Sequence, residues 1–198
     1  MQSLGHEYRR FGGQYDVVHH SELVRSLIAD GRIVLDSAQG STNPHGSKDS
    51  IPAERPPVTP ASRSTVTFHD PCYLGRYNDG FDAPREVLDD LDLVQTEMPR
   101  SRENSFCCGA GGGHAFYDDT EGGRINRNRM REAIATGADT VGTACPFCLP
   151  MLEDAARAES PAGDGPEIRD LAELVAERLG ADEGEGNRVE RNGGRSPT

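Results

Sequence analysis

Five cysteines, Cys72, Cys107, Cys108, Cys145 and Cys148, follow the pattern C-x34-C-C-G-x35-C-x2-C. Thiols delivered from three separated pieces of chain could do four kinds of chemistry. Structural disulfides fit poorly, because the count is odd and no secretory leader is expected at the front of the chain. Zinc suits soft thiolates, but its tetrahedral site takes four ligands, which leaves one cysteine a spectator. An iron–sulfur cluster is held by thiolates, and a polynuclear one can use more than four. A thioredoxin-like pair is the fourth, since Cys145-Pro146-Phe147-Cys148 follows an expected strand and opens an expected helix, whose positive end lowers a thiol pKa. That use leaves Cys72, Cys107 and Cys108 unexplained.

The residues after Cys108 point in the same direction. Gly109-Ala110-Gly111-Gly112-Gly113 has almost no side chains, so the backbone amides of Gly109, Gly111 and Gly112 can approach a bound group closely. Amides aimed at sulfur would stabilise a negatively charged cluster and shift its potential. A nucleotide loop is the rival use, but the third glycine of G-x-G-x-x-G would fall on His114 and the P-loop lysine is missing.

The elements that must position these groups alternate between strand and helix. Residues 14–18 (QYDVV) read as a strand, followed by a helix near Glu22–Asp30 with Ser21 as N-cap and Gly31 as its stop. Thr65–His69 reads as a strand ended by Asp70-Pro71, and Asp82-Ala83-Pro84 opens a helix through Leu91. Further strands are expected at Leu93–Met98 and Asp139–Thr143, and helices at Glu121–Thr136, Pro146–Ala158 and Asp170–Leu179. This is the rhythm of an α/β domain, a mostly parallel sheet flanked by helices. In such sheets ligand sites form at the carboxyl ends of the strands. Cys72, the Cys107-Cys108 pair and the Cys145/Cys148 pair each fall just beyond one of those ends, so the cysteine site belongs there.

The chain has 198 residues and a formal charge of −12, of which −7 falls within residues 65–158. An acidic chain repels phosphate backbones and anionic lipid, so no nucleic-acid partner is expected. No apolar run approaches the length of a membrane span, so direct insertion is not expected either, and a cytoplasmic location is. Lys48 is the single lysine, and the other 20 basic residues are arginines. Such a composition points to a GC-rich genome or a high-salt source. Residues 36–64 are rich in Ser, Pro and Gly and read as a flexible linker or loop, and residues 180–198 as a disordered acidic tail. That leaves an N-terminal βα portion at 1–35 and a cysteine-rich core at 65–179.

The segments HDPCYLGRYN, ENSFCCGAGGG and GADTVGTACPFCLPMLEDA resemble the CCG (cysteine-rich) domain of the B subunit of heterodisulfide reductase. The same domain occurs in iron–sulfur subunits of glycolate, lactate and anaerobic glycerol-3-phosphate dehydrogenases, and in larger iron–sulfur oxidoreductases associated with electron-transfer flavoprotein. The resemblance covers about residues 1–158. It implies that Cys72, Cys107, Cys108, Cys145 and Cys148 ligate a [4Fe-4S] cluster, of the non-cubane kind in heterodisulfide reductase itself, although some relatives carry zinc in this domain. It further implies an electron-transfer module that works with a ferredoxin-domain or flavoprotein subunit or a quinone-linked protein, passes electrons to a disulfide or other acceptor, and lies at a membrane only through such partners. A zinc-stabilised docking domain without redox activity is the alternative. Family members usually carry two CCG domains in tandem, and HEYRRFGGQYDVVHHSELVRSLIADGRI resembles the stretch that opens the second, so this chain looks like the C-terminal half of a larger member.

Outside the motif, His69 and His20 are candidate donors or proton sources near such a site, and His19 beside His20 reads as structural. Arg124, Arg127 and Arg131 share one helical face and are expected to pair with nearby acids. Phe106 and Phe147 flank cysteines and are expected to shield them. Asp70-Pro71 reads as a strand terminator.

Overall fold

The computed structural model describes residues 3–36, 64–116 and 123–179. The expected linker and tail lie outside the described residues, apart from Asp36 and Ser64. The first described segment begins with two short irregular helical turns, Ser3–Glu7 and Tyr8–Phe11, and continues into α1 (His20–Ala29). The rest runs β1 (Thr65–Phe68), α2 (Gly75–Asn78), α3 (Asp82–Asp90), β2 (Val94–Gln95), α4 (Ile125–Ala135), β3 (Thr140–Thr143), α5 (Cys148–Glu159), β4 (Glu167–Asp170) and α6 (Leu171–Ala176).

The four strands form one all-parallel sheet in the order β2-β1-β3-β4. The chain steps from β1 outward to β2, then crosses back over β1 to lay β3 on its other side. Strand order therefore reverses between β1 and β3, the place where α/β sheets open a crevice beyond their carboxyl ends. Both faces of the sheet are covered. Val66 and Phe68 of β1 pack with Ile28 of α1, Val87 and Leu88 of α3, and Leu171, Leu174 and Val175 of α6. Val141 of β3 points the other way, into Met130 and Ala133 of α4 and Met151, Leu152 and Ala155 of α5. Cys108 and Cys148 belong to this second cluster, so the site is continuous with the core. A side chain at Gly142 would press on Phe68 at 3.3 Å and reach Leu174 at 3.8 Å, so its absence lets α6 lie close against the sheet.

Several expected boundaries move. Residues 14–18 form no strand, because Tyr15 and Val18 are exposed and no described strand lies beside them. His19, and not Ser21, caps α1: its Nδ1 accepts the Ser21 N–H at 3.2 Å, while Ser21 is buried. Strand Leu93–Met98 is reduced to Val94–Gln95 at the sheet edge. The last helix starts one residue late because Asp170 is its N-cap, with Glu173 completing a capping box. Residues Glu167–Asp170, where no strand is expected and Asp170 is expected to open the last helix, pair with β3 as β4.

Candidate metal centre

Three loops leave the carboxyl ends of β1, β2 and β3 and meet over the β1/β3 crevice. The first is His69-Asp70-Pro71-Cys72. His69 N–H bonds the Gly142 carbonyl at 2.8 Å, prolonging the pairing of β1 with β3. Asp70 then turns inward, and the Pro71 carbonyl accepts from Leu74 and Gly75 at 3.1 and 2.9 Å, so Cys72 rides on a tight turn. Asp70 is held bidentately by Arg85 at 2.8 and 3.0 Å and by the Arg102 N–H at 2.7 Å. Arg85 also reaches Glu97 at 2.5 and 2.9 Å. The Asp70 carboxylate thus ties the β1 loop to α3 and to the strand-β2 loop that carries the next two cysteines.

The second loop holds Cys107 and Cys108. Arg76 of α2 donates to the Ser105 carbonyl, and the Arg100 guanidinium lies 3.5 Å from the Phe106 ring centroid. At Gly109 φ is +90°, and a Cβ there would stand 3.2 Å from the Asn126 nitrogen and Ile125 Cβ. Only glycine lets the loop pass this close to α4 in that conformation. In it the Gly109 N–H points at Cys107 Sγ, 3.2 Å away. The third loop carries Cys145, and Cys148 is the first residue of α5.

Cys108 is the hub. Its sulfur is hydrogen-bonded to Cys107, Cys148, His69 and the Ala110 N–H, and these donors hold its pKa far below the thiol range. Sharing that charge pushes Cys107 and Cys148 up, each through its bond to Cys108 first. Cys145 is lowered to about 6 by its bond to Cys148 and by the backbone N–H groups of Cys148 and Phe147 at the start of α5. Burial raises Cys72, against a hydrogen bond from the Tyr73 N–H. Cys108 and Cys148 are buried, and the other three cysteines are half-buried. A cavity of about 60 Å³ is lined by His69, Asp70, Cys72, Phe106, Cys107, Cys108 and Cys148, with Arg76 at its edge.

The sequence-predicted residues divide accordingly. Cys72, Cys107, Cys108 and Cys148 line one cavity, and Cys145 joins them through Cys148. Of the glycine amides, that of Gly109 meets a sulfur, and the Ala110 amide, not anticipated from sequence, meets another. Gly111 and Gly112 sit in the turn beyond, Gly111–Gly113. His69 lines the cavity. His20 lies instead beside His19, ring centroids 4.3 Å apart, and 3.9 Å from Asp170. Phe106 lines the cavity but Phe147 is exposed. Arg124 and Arg131 pair with Asp154 and Glu159 of α5 at 3.1 and 2.7 Å. Asp70, read as a strand terminator, is the buried anchor of the site.

The sequence singles out none of Arg76, Arg85 and Arg129, and of these Arg129 lies deepest. It is fully buried, and its Nε–H donates to His69 Nδ1 at 3.0 Å. A signal existed: Asn126, Arg129, Met130 and Ala133 form an inward i, i+3, i+4, i+7 stripe on α4, and a charge on such a stripe needs a buried partner.

His19 connects the N-terminal segment to the third loop through the Ala144 backbone next to Cys145, and burial beside His20 lowers its pKa to about 4. In the unfolded chain a histidine titrates near 6.5. The unfolded state therefore binds the extra proton first, so stability falls as pH drops from about 6.5 to about 4 and is fully present above that window. Thermal unfolding followed by circular dichroism should show this slope, and His19→Asn, which preserves the cap, should flatten it.

The donor set is five soft sulfurs, four of them already receiving backbone N–H groups. Such a set suits zinc or iron–sulfur and does not suit magnesium or calcium, which demand oxygen.

Residues 66–153 match the family described as the CCG cysteine-rich domain. The chain is 39% identical to a probable iron-sulfur-binding oxidoreductase, FadF, of Bacillus subtilis, over 89% of this chain and 22% of that protein. It is 45% identical to one of the subunits of dihydromethanophenazine:CoB–CoM heterodisulfide reductase of Methanosarcina mazei, over 84% of this chain and 34% of the relative. It is 31% identical to the EtfAB:quinone oxidoreductase of Syntrophomonas wolfei, over 87% of this chain and 22% of the relative. The chain thus spans about a fifth to a third of the length of these relatives.

Proposed function

We propose, from the match of residues 66–153 to the CCG cysteine-rich domain family, that this chain is the iron–sulfur electron-transfer module of a heterodisulfide-reductase-like oxidoreductase. The observation that carries this reading is the convergence of five thiols from three strand ends, four lining one cavity over the β1/β3 crevice and Cys145 bonded to Cys148 beside it. Cys72, Cys107, Cys108, Cys145 and Cys148 would hold the cluster, a [4Fe-4S] group of the non-cubane kind, which supplies one-electron chemistry when bound. The described part of residues 65–179 serves as the working core, and α1 packs on it through Ile28.

The chain's own groups have separable roles. The N–H groups of Gly109, Ala110, Tyr73, Phe147 and Cys148 point at sulfur and stabilise negative charge there. Buried Cys108 and Cys148 keep water from the inner side, while half-buried Cys72, Cys107 and Cys145 leave the outer side open to a redox partner. Arg76 sets a positive charge beside that opening.

The names of the relatives support donor and acceptor sites outside these residues: a flavoprotein, a ferredoxin-type subunit or a quinone-linked protein on one side and a disulfide or other acceptor on the other. No described helix is long and apolar enough to cross a membrane. A membrane association would run through those partners.

Anaerobic purification followed by iron and acid-labile sulfide analysis tests the reading. A brown protein with iron and sulfide bound supports it. Colourless protein with stoichiometric zinc overturns it in favour of a docking domain.

A further inference from the structure

His69, Cys108 and Cys148 are buried, and their donor atoms lie within 4.8 Å of one another, the arrangement of a mixed nitrogen–sulfur metal site. The surroundings of the imidazole argue otherwise. Its Nδ1 faces the Nε–H of Arg129 at 3.0 Å. A guanidinium nitrogen donates and never accepts, so Nδ1 must present its lone pair to Arg129, and the ring proton must sit on Nε2. The remaining hydrogen bond of the ring runs to Cys108. A nitrogen that carries a proton has no lone pair for a metal.

The arginine is itself locked in place. Arg129 is fully buried, and its Nη1 donates to the Arg100 carbonyl at 2.7 Å and to Glu132 at 2.8 Å. Its neighbours on α4, Met130 and Ala133, are packed without exposure in the core. His69 is fixed from the other side by its own N–H on the Gly142 carbonyl. Arg129, anchored by donating to Glu132, thus donates to His69, which in turn donates to Cys108, a relay that ends on sulfur.

Resting on the reading of the cysteines as cluster ligands, we infer that His69 is a positioning residue and not a ligand: Arg129 sets its tautomer so that Nε2–H donates to the Cys108 thiolate. A thiolate that accepts an extra N–H gives less charge to the iron it binds, so the reduced, more negative form of the site is favoured. Residue 69 then sets the potential at which this centre takes an electron.

The tautomer is read first on the metal-free chain, by long-range ¹H–¹⁵N correlation at neutral pH. The expected pattern is a protonated Nε2 and a bare Nδ1 for His69, and a proton on Nδ1 overturns the inference. The loaded protein is then compared with His69→Gln, which keeps an amide donor, and His69→Met, which has none. Both variants should retain wild-type iron per chain. His69→Met should shift the reduction equilibrium about tenfold toward the oxidised form, 59 mV for one electron, and His69→Gln should shift it less. Loss of iron in His69→Gln, or an unchanged potential in His69→Met, overturns the inference. If His69→Met fails to fold, the tautomer and the glutamine variant decide. Wild-type protein without iron or sulfide would count against the function proposed above and leave the tautomer result standing.

Discussion

Cys108→Ser should leave a folded protein that holds less than about a tenth of the wild-type iron and sulfide. Cys108 takes hydrogen bonds from Cys107, Cys148, His69 and the Ala110 N–H, and those donors hold it as the thiolate of the set. A serine hydroxyl stays protonated, is harder than sulfur and reaches less far, so the same donors would converge on a poor ligand. The fold should survive because the exchange removes little volume from the cluster of Met98, Met130, Val141 and Leu152 around it. Iron, sulfide and the visible spectrum give the first half of this expectation, and far-ultraviolet circular dichroism the second. An unchanged spectrum would show that Cys108 is not a ligand.

Arg85→Met should cost about 3–5 kcal/mol, because it strands the Asp70 carboxylate in the interior. The side chains of Arg85 and Asp70 are only 8% and 2% exposed, so water cannot replace the lost guanidinium. For a domain of this size the thermal midpoint should drop by roughly 10 °C. The exposed Asp82–Arg102 pair provides the contrast: at side-chain exposures of 73% and 40%, Asp82→Asn should leave the midpoint where it is. A midpoint unchanged in Arg85→Met would mean that the buried pair is not what braces the first cysteine loop. Since Asp70 binds both α3 through Arg85 and the second loop through the Arg102 N–H, the same variant should also weaken metal retention.

The cysteine spacing and the strand–helix rhythm were legible because both are written in residue types along the chain. Each cysteine follows a strand end, and a parallel sheet gathers its strand ends on one edge. The groups that brace the site were not legible. Asp70 and Arg85 are 15 positions apart, and His69 and Arg129 are 60 apart, so no local pattern joins them. β4 escaped because Glu-Ile-Arg-Asp has no alternation, its residues being half-exposed at the end of the sheet. The opposite error, a strand at residues 14–18, came from β-forming residues that have no described strand beside them on which to pack.

The reversal of strand order at β1 also has a consequence in time. The half-site on β1 and the half-site on β3 are separated by roughly seventy residues, and nothing brings them together until the chain has crossed back over β1. Contacts of such sequence separation form late, after the entropy of closing the intervening loop has been overcome. During that interval all the thiols are reactive and unshielded, so the newly made chain is most vulnerable to oxidation before its third strand docks.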